Sequence, residues 1–123
     1  MSQSPIRVLL VEDDPDAAYV LQTELERRGF DIVVAESAAG ARTAARDRDF
    51  DVVVSDLSLP DGDGCALLGD LRMRQSLAGV ALTGWDREED RRRSKRAGFA
   101  EHLVKPVSAQ TIESVLRRLV VRD

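Results

Sequence analysis

The chain has 123 residues, with 22 acidic side chains against 18 basic ones and a net charge of −4. That length predicts one domain, and the acidic balance argues against direct binding to nucleic acid. A single cysteine, Cys65, excludes an internal disulfide and any zinc site built on several thiolates, and a single histidine, His102, excludes a paired-histidine metal site.

A serine–histidine–aspartate triad is open only through His102. Of the 18 basic residues only Lys95 and Lys105 are lysine, so each invites the question why it is not arginine. Residues Met1 to Pro5 are short and polar, without the apolar run of a signal peptide. The longest apolar runs are a few residues, such as Val8-Leu9-Leu10-Val11, where a membrane span needs about 20. No membrane contact is expected. A cysteine without a partner fits a reducing cytoplasm.

Ile6 to Val11 is apolar apart from Arg7 and predicts a first strand, ending at Glu12-Asp13-Asp14. Ala17, Val20, Leu21 and Leu25 recur at helical spacing behind Asp14-Pro15, a capping oxygen followed by a first-turn proline. Arg27-Arg28-Gly29 predicts its stop. Ile32 to Ala35 predicts a second strand, Ser37 to about Arg46 a helix, and Val52 to Ser55 a buried β-branched strand. Leu59-Pro60-Asp61-Gly62-Asp63-Gly64 predicts a turn; its two aspartates lack the acid an EF-hand loop needs where Leu59 stands. Leu67, Leu68 and Leu71 mark a third helix, and Gly79 to Thr83 a fourth strand. Asp86 to Ala97 predicts a polar, weakly anchored helix with Asp86 and Glu89 spaced as a capping box, its charges paired along a solvated face. Ala100 to Val104 predicts a fifth strand. Ile112, Val115, Leu116 and Leu119 mark an amphipathic last helix capped by Ser108.

Short apolar strands alternating with helices argue for a parallel sheet covered on both faces. The expected fold is a three-layer, doubly wound α/β sandwich, one domain over 1–123 with its core at about 6–120. In such a sheet every strand ends at the same edge, where ligands bind. Glu12, Asp13 and Asp14 follow the first strand, Asp56 the third, Thr83-Gly84 closes the fourth, and Lys105-Pro106 follows the fifth.

This arrangement resembles the receiver domain of two-component response regulators. Val11-Glu12-Asp13-Asp14, Asp56 with Leu59-Pro60 and Asp63-Gly64, Thr83-Gly84 and Lys105-Pro106 carry the likeness, which covers Ile6 to about Val120. The resemblance implies a five-stranded flavodoxin-like sheet in the order 2-1-3-4-5. It implies that Asp56 accepts a phosphoryl group from a phosphohistidine of a sensor histidine kinase or phosphotransfer domain. It also implies Mg²⁺ (Mn²⁺ could replace it) held by Asp13, Asp56 and the Ser58 backbone carbonyl, with Glu12 acting through water. Lys105 would pair with the phosphoryl group as a compact ammonium, Thr83 would hydrogen-bond it, and Gly84 would leave room. On this reading the protein is a phosphoacceptor rather than an enzyme. It would switch partner binding on the face of the fourth helix, fifth strand and last helix, with a phosphorylation-dependent homodimer as one outcome.

Asp14 reads as a helix cap and Cys65 as a small packed residue. Two departures from the family pattern matter. His102 stands where receivers carry an aromatic switch residue working with Thr83, so the imidazole either replaces that ring and adds pH sensitivity or is an ordinary strand histidine. The two positions that influence acyl-phosphate lifetime hold Ser58 and Trp85, which predicts a long-lived phosphoryl state; Trp85 could cover the site mouth or anchor a partner. Ala81 to Gly84 and His102 to Val107 look more like receivers attached to hybrid sensor kinases than DNA-binding regulators. Two rivals remain open: a small Mg-dependent phosphohydrolase with an aspartate nucleophile, whose second aspartate would stand where Ser58 does, and a pseudo-receiver that needs no phosphorylation.

Overall fold

A computed structural model describes residues 4–121; Met1 to Gln3 of the expected polar N-terminus lie outside the described residues. The elements run β1 (Arg7–Val11), α1 (Pro15–Arg27), β2 (Asp31–Ala35), α2 (Ala38–Asp47), β3 (Val52–Asp56), β4 (Ser58–Leu59) and β5 (Gly62–Asp63). They continue with α3 (Gly64–Arg72), β6 (Ala78–Thr83), α4 (Glu88–Ala97), β7 (Glu101–Val104) and α5 (Ala109–Leu119). The main sheet is parallel in the order β2-β1-β3-β6-β7. With the short β4–β5 pair set aside, that is the order 2-1-3-4-5.

The strand side chains alternate between two apolar layers. Leu9, Val11, Val53 and Ala81 join α2, α3 and Phe99 on one face. Val8, Leu10, Val52, Val54, Val80 and Leu82 join α1 and α5 on the other. This is why the central strands read as continuous apolar runs. No described helix is long and apolar enough to cross a membrane.

Local signals place most helix ends. Asp14 accepts from the Asp16 N–H at 3.1 Å, Ser37 from Gly40 at 3.0 Å and Ser108 from Thr111 at 3.1 Å. Gly29 follows α1 at φ +97°, a left-handed conformation that costs glycine little. Two expectations change. The turn at Leu59–Gly64 contains a two-residue antiparallel pair, β4 with β5. Helix α4 starts at Glu88 and its N-cap, Arg87, makes no side-chain capping bond. Asp86 does not cap it because its carboxylate is taken by Arg91 Nε at 2.6 Å.

Candidate phosphoryl-acceptor site

The carboxyl ends of β1, β3 and β7 deliver three charged groups to one point. The ladder extends past the end of β1 by Glu12 N–H to the Ala35 carbonyl (3.0 Å), and past β7 by Lys105 N–H to the Thr83 carbonyl (2.8 Å). Asp56 is the last residue of β3, in register with Leu82 of β6. These bonds fix where each side chain departs from the sheet. The Lys105–Pro106 peptide is cis.

Lys105 Nζ donates to Glu12 Oε1 at 2.6 Å and lies 2.8 Å from Asp56 Oδ1. The second contact is an ion pair without hydrogen-bond geometry, so the buried Oδ1 has no hydrogen-bond donor. Glu12 is 1 % exposed and Asp56 7 %. One carboxylate oxygen each from Glu12, Asp13 and Asp56 lies within 4.8 Å of the others.

The electrostatics follow from that crowding. Burial, and then the neighbouring Glu12 carboxylate, push Asp56 up to about 7 against the pull of Lys105. Burial alone would raise Glu12 too. The titrating Asp56 beside it, the hydrogen bond from Lys105 Nζ and one from the Asp14 N–H at 3.2 Å hold it below the usual carboxylate range. Lys105 is raised because the two carboxylates outweigh its burial. Two buried carboxylates share one ammonium, so the cluster is short of positive charge. A hard cation with oxygen ligands would supply it, and the carboxylate oxygens of Asp56, exposed Asp13 and Glu12 form the right donor set.

The loop beyond β3 is held against the site by close backbone approach. Gly64 N–H donates to the Leu57 carbonyl at 2.8 Å, and a Cβ on Gly64 would collide with the Asp56 carbonyl oxygen. Ser58 lies two residues past Asp56 with an exposed side chain. Asp61, read from sequence as part of a turn, accepts from the Ala38 and Ala39 N–H groups at 2.8 and 2.9 Å and so ties the loop to the start of α2. Those two backbone donors hold its carboxyl below the usual range. Asp63 caps α3 by accepting from Cys65 N–H at 2.7 Å. Both aspartates have helix-end duties, which fits the rejection of a calcium loop.

Thr83 closes β6 and is buried, but its hydroxyl is engaged locally. It donates to the Trp85 carbonyl and accepts from the Trp85 N–H, both at 3.1 Å. Trp85 is 67 % exposed, with the Arg87 guanidinium 5.0 Å from its ring centre, so the indole lies on the surface. A side chain at Gly84 would enter open space. His102 sits in β7 opposite Ala81, with Nδ1 2.8 Å from Ser94 Oγ of α4. Ser94 carried no signal of its own in the sequence; only the helical register that buries it reveals the contact.

Residues 8–117 match the response regulator receiver domain family. The chain belongs to that family. Chemotaxis response regulator CheY4 of Vibrio cholerae is 25 % identical, with a TM-score of 0.86 over 94 % of this receiver and 99 % of that chain. A response regulator of Burkholderia pseudomallei, described with a phosphorylated aspartic acid, calcium ion and citrate, is 26 % identical with a TM-score of 0.83, over 94 % and 67 % of the two chains. An uncharacterized 14.6 kDa protein of Leptolyngbya boryana is 38 % identical over 81 % of this receiver and 79 % of its own length. The transcriptional regulatory protein KdpE of Mycobacterium tuberculosis is 32 % identical over 94 % of the receiver, which spans 51 % of that regulator. The receiver spans about half the length of most of the curated relatives it matches.

Proposed function

We propose that this receiver accepts a phosphoryl group on Asp56 from the phosphohistidine of a sensor kinase or phosphotransfer domain. The observation that carries the reading is Asp56, whose buried Oδ1 lies 2.8 Å from Lys105 Nζ and one of whose carboxylate oxygens lies within 4.8 Å of oxygens of Glu12 and Asp13. An Asp56 carboxylate oxygen attacks phosphorus, the P–N bond to the donor imidazole breaks, and the imidazole leaves with its electron pair and takes up a proton. The product is an acyl phosphate on Asp56. Lys105, already paired with Asp56, moves its charge onto a phosphoryl oxygen, while Glu12 keeps the ammonium in place. Thr83 reaches the phosphoryl group only by releasing the Trp85 backbone, so its engagement is coupled to the loop leading into α4.

Asp13, Asp56 and the Ser58 carbonyl would hold a divalent cation, with Glu12 acting through water. When bound, that ion neutralises charge on the carboxylates and the transferring group. The phosphorylated aspartate and calcium ion named for the Burkholderia relative support this assignment. The chain is then a phosphoacceptor that catalyses only its own modification. Its output is a population shift on the surface of α4, β7 and α5.

Incubation with a small-molecule phosphodonor and Mg²⁺, read by intact mass, tests this. One phosphate per chain, absent in Asp56→Asn, is expected. Sustained release of phosphate from free substrate would show a phosphohydrolase instead, and no uptake at all would show a pseudo-receiver.

A further inference from the structure

Helix α4 is almost all charge, and the one side chain it buries fully is polar. Ser94 is 1 % exposed and meets His102 of β7, Oγ to Nδ1, at 2.8 Å. The same hydroxyl lies 3.1 Å from the Arg91 carbonyl oxygen. A serine hydroxyl has one proton to give. Both contacts are therefore hydrogen bonds together only if Ser94 donates to Arg91 and accepts from a protonated Nδ1. The far side of the ring agrees. His102 Nε2 is buried with no hydrogen-bond partner. In the other tautomer it would be an N–H donor buried without an acceptor, a full desolvation cost with nothing to offset it.

The surrounding charges are mixed. Arg91 of α4 opposes a proton on the imidazole, while Asp90 of α4 and Asp86 before it favour one, and Asp86 is itself engaged by Arg91 at 2.6 Å. Glu101, beside His102 on β7, is paired with Arg118 of α5 at 3.0 Å. Lys95 of α4 lines, with His102 and Ser94, a cavity of about 350 Å³ between the helix and the strand. Burial first, then Arg91, hold His102 below the ordinary histidine range.

We propose that Ser94 and His102 form a neutral latch, Nδ1–H to Oγ, that holds α4 against β7, and that a second proton on the imidazole opens it. A proton added at Nε2 makes a cation whose new N–H has no acceptor in its buried setting. Turning that edge toward water withdraws Nδ1 from Ser94, and α4 loses its buried polar tie to the strand. Ser94 and His102 act as positioning residues, through the helix rather than on the phosphoryl group. The signalling consequence, that opening changes the α4 surface offered to partners, rests on the receiver reading; the latch itself does not.

The single histidine makes the test free of assignment ambiguity. Long-range ¹H–¹⁵N correlations of the unphosphorylated full chain distinguish a protonated ring nitrogen from an unprotonated one. The expected neutral species has its proton on Nδ1, and Ser94→Ala should shift it toward Nε2 and raise the titration midpoint. A wild-type ring protonated at Nε2 overturns the proposal without touching the phosphoryl-acceptor reading. Amide hydrogen exchange gives the second arm. Acidification through the His102 midpoint should speed α4 exchange severalfold, beyond the intrinsic pH effect, in wild type and not in His102→Phe. An equal response in His102→Phe overturns the latch.

Discussion

Helices α4 and α5 flank the same edge strand, β7, and are anchored by opposite means. Helix α5 buries Ala109, Ile112, Val115 and Leu116 against the layer it shares with α1. Helix α4 buries Ser94 and leans on the other layer through half-buried Ala97. Beyond that it is held by the exposed ion pair of Arg93 with Asp63 at 3.8 Å, the contact of Cys65 Sγ with the Arg93 carbonyl at 3.9 Å and the Arg91–Asp86 pair, while Arg92 pairs with Glu88 within the helix itself. Exposed pairs of this kind contribute little. The difference teaches where a modification at the sheet edge can act. Moving α5 exposes apolar core, whereas moving α4 costs one buried hydrogen bond, the small Ala97 contact and a few screened charges, so α4 is the element drawn from the low-stability end.

The sharpest way to break that contrast is to truncate both helices. Leu116→Ala in α5 should cost about 2–5 kcal/mol in chemical denaturation. Arg92→Ala in α4 should stay within about 0.5 kcal/mol. Comparable losses would show that α4 is anchored as firmly as α5.

The charge cluster gives a smaller effect. Lys105→Ala leaves the Glu12 and Asp56 carboxylates facing each other without their cation. Discounted for partial solvent screening of the lysine, the loss should be about 1–3 kcal/mol in metal-free buffer. Mg²⁺ should recover part of it, by binding linkage. Asp56→Asn removes one of the two carboxylates and leaves the Glu12–Lys105 pair, so at pH above 7 without metal it should raise the denaturation midpoint. A fall would mean that Asp56 is already compensated.

The smallest effect is the pH dependence of α4's tie. The folded state holds His102 below its ordinary value of 6.5. Between the folded and unfolded values the unfolded chain binds more protons, so stability is full above about 6.5 and is lost as pH falls through that window. The difference in denaturation midpoint between wild type and His102→Gln should therefore shrink on acidification. A difference that stays constant would sharpen the comparison against His102.

The fold was largely legible because its signals are local. Val8-Leu9-Leu10-Val11 and Val52-Val53-Val54 read as buried parallel strands, and Asp14, Ser37 and Ser108 cap helices through contacts two or three residues away. Asp61 was not legible because its partners lie 22 and 23 residues back in the chain. Asp86 was misread because a guanidinium competes for the same carboxylate.

At the site, the sequence by itself determined which groups arrive at the sheet edge. Strand ends set Glu12, Asp56, Thr83 and Lys105 there, since a parallel sheet brings all its carboxyl ends together. Only the tertiary structure decided their state: Lys105 shared between two carboxylates, Asp56 Oδ1 without a donor, Thr83 held by the Trp85 backbone, and His102 bonded to Ser94. The reason is physical. Order along the chain fixes which residues end strands, but protonation and hydrogen-bond direction depend on burial and on neighbours contributed by distant segments.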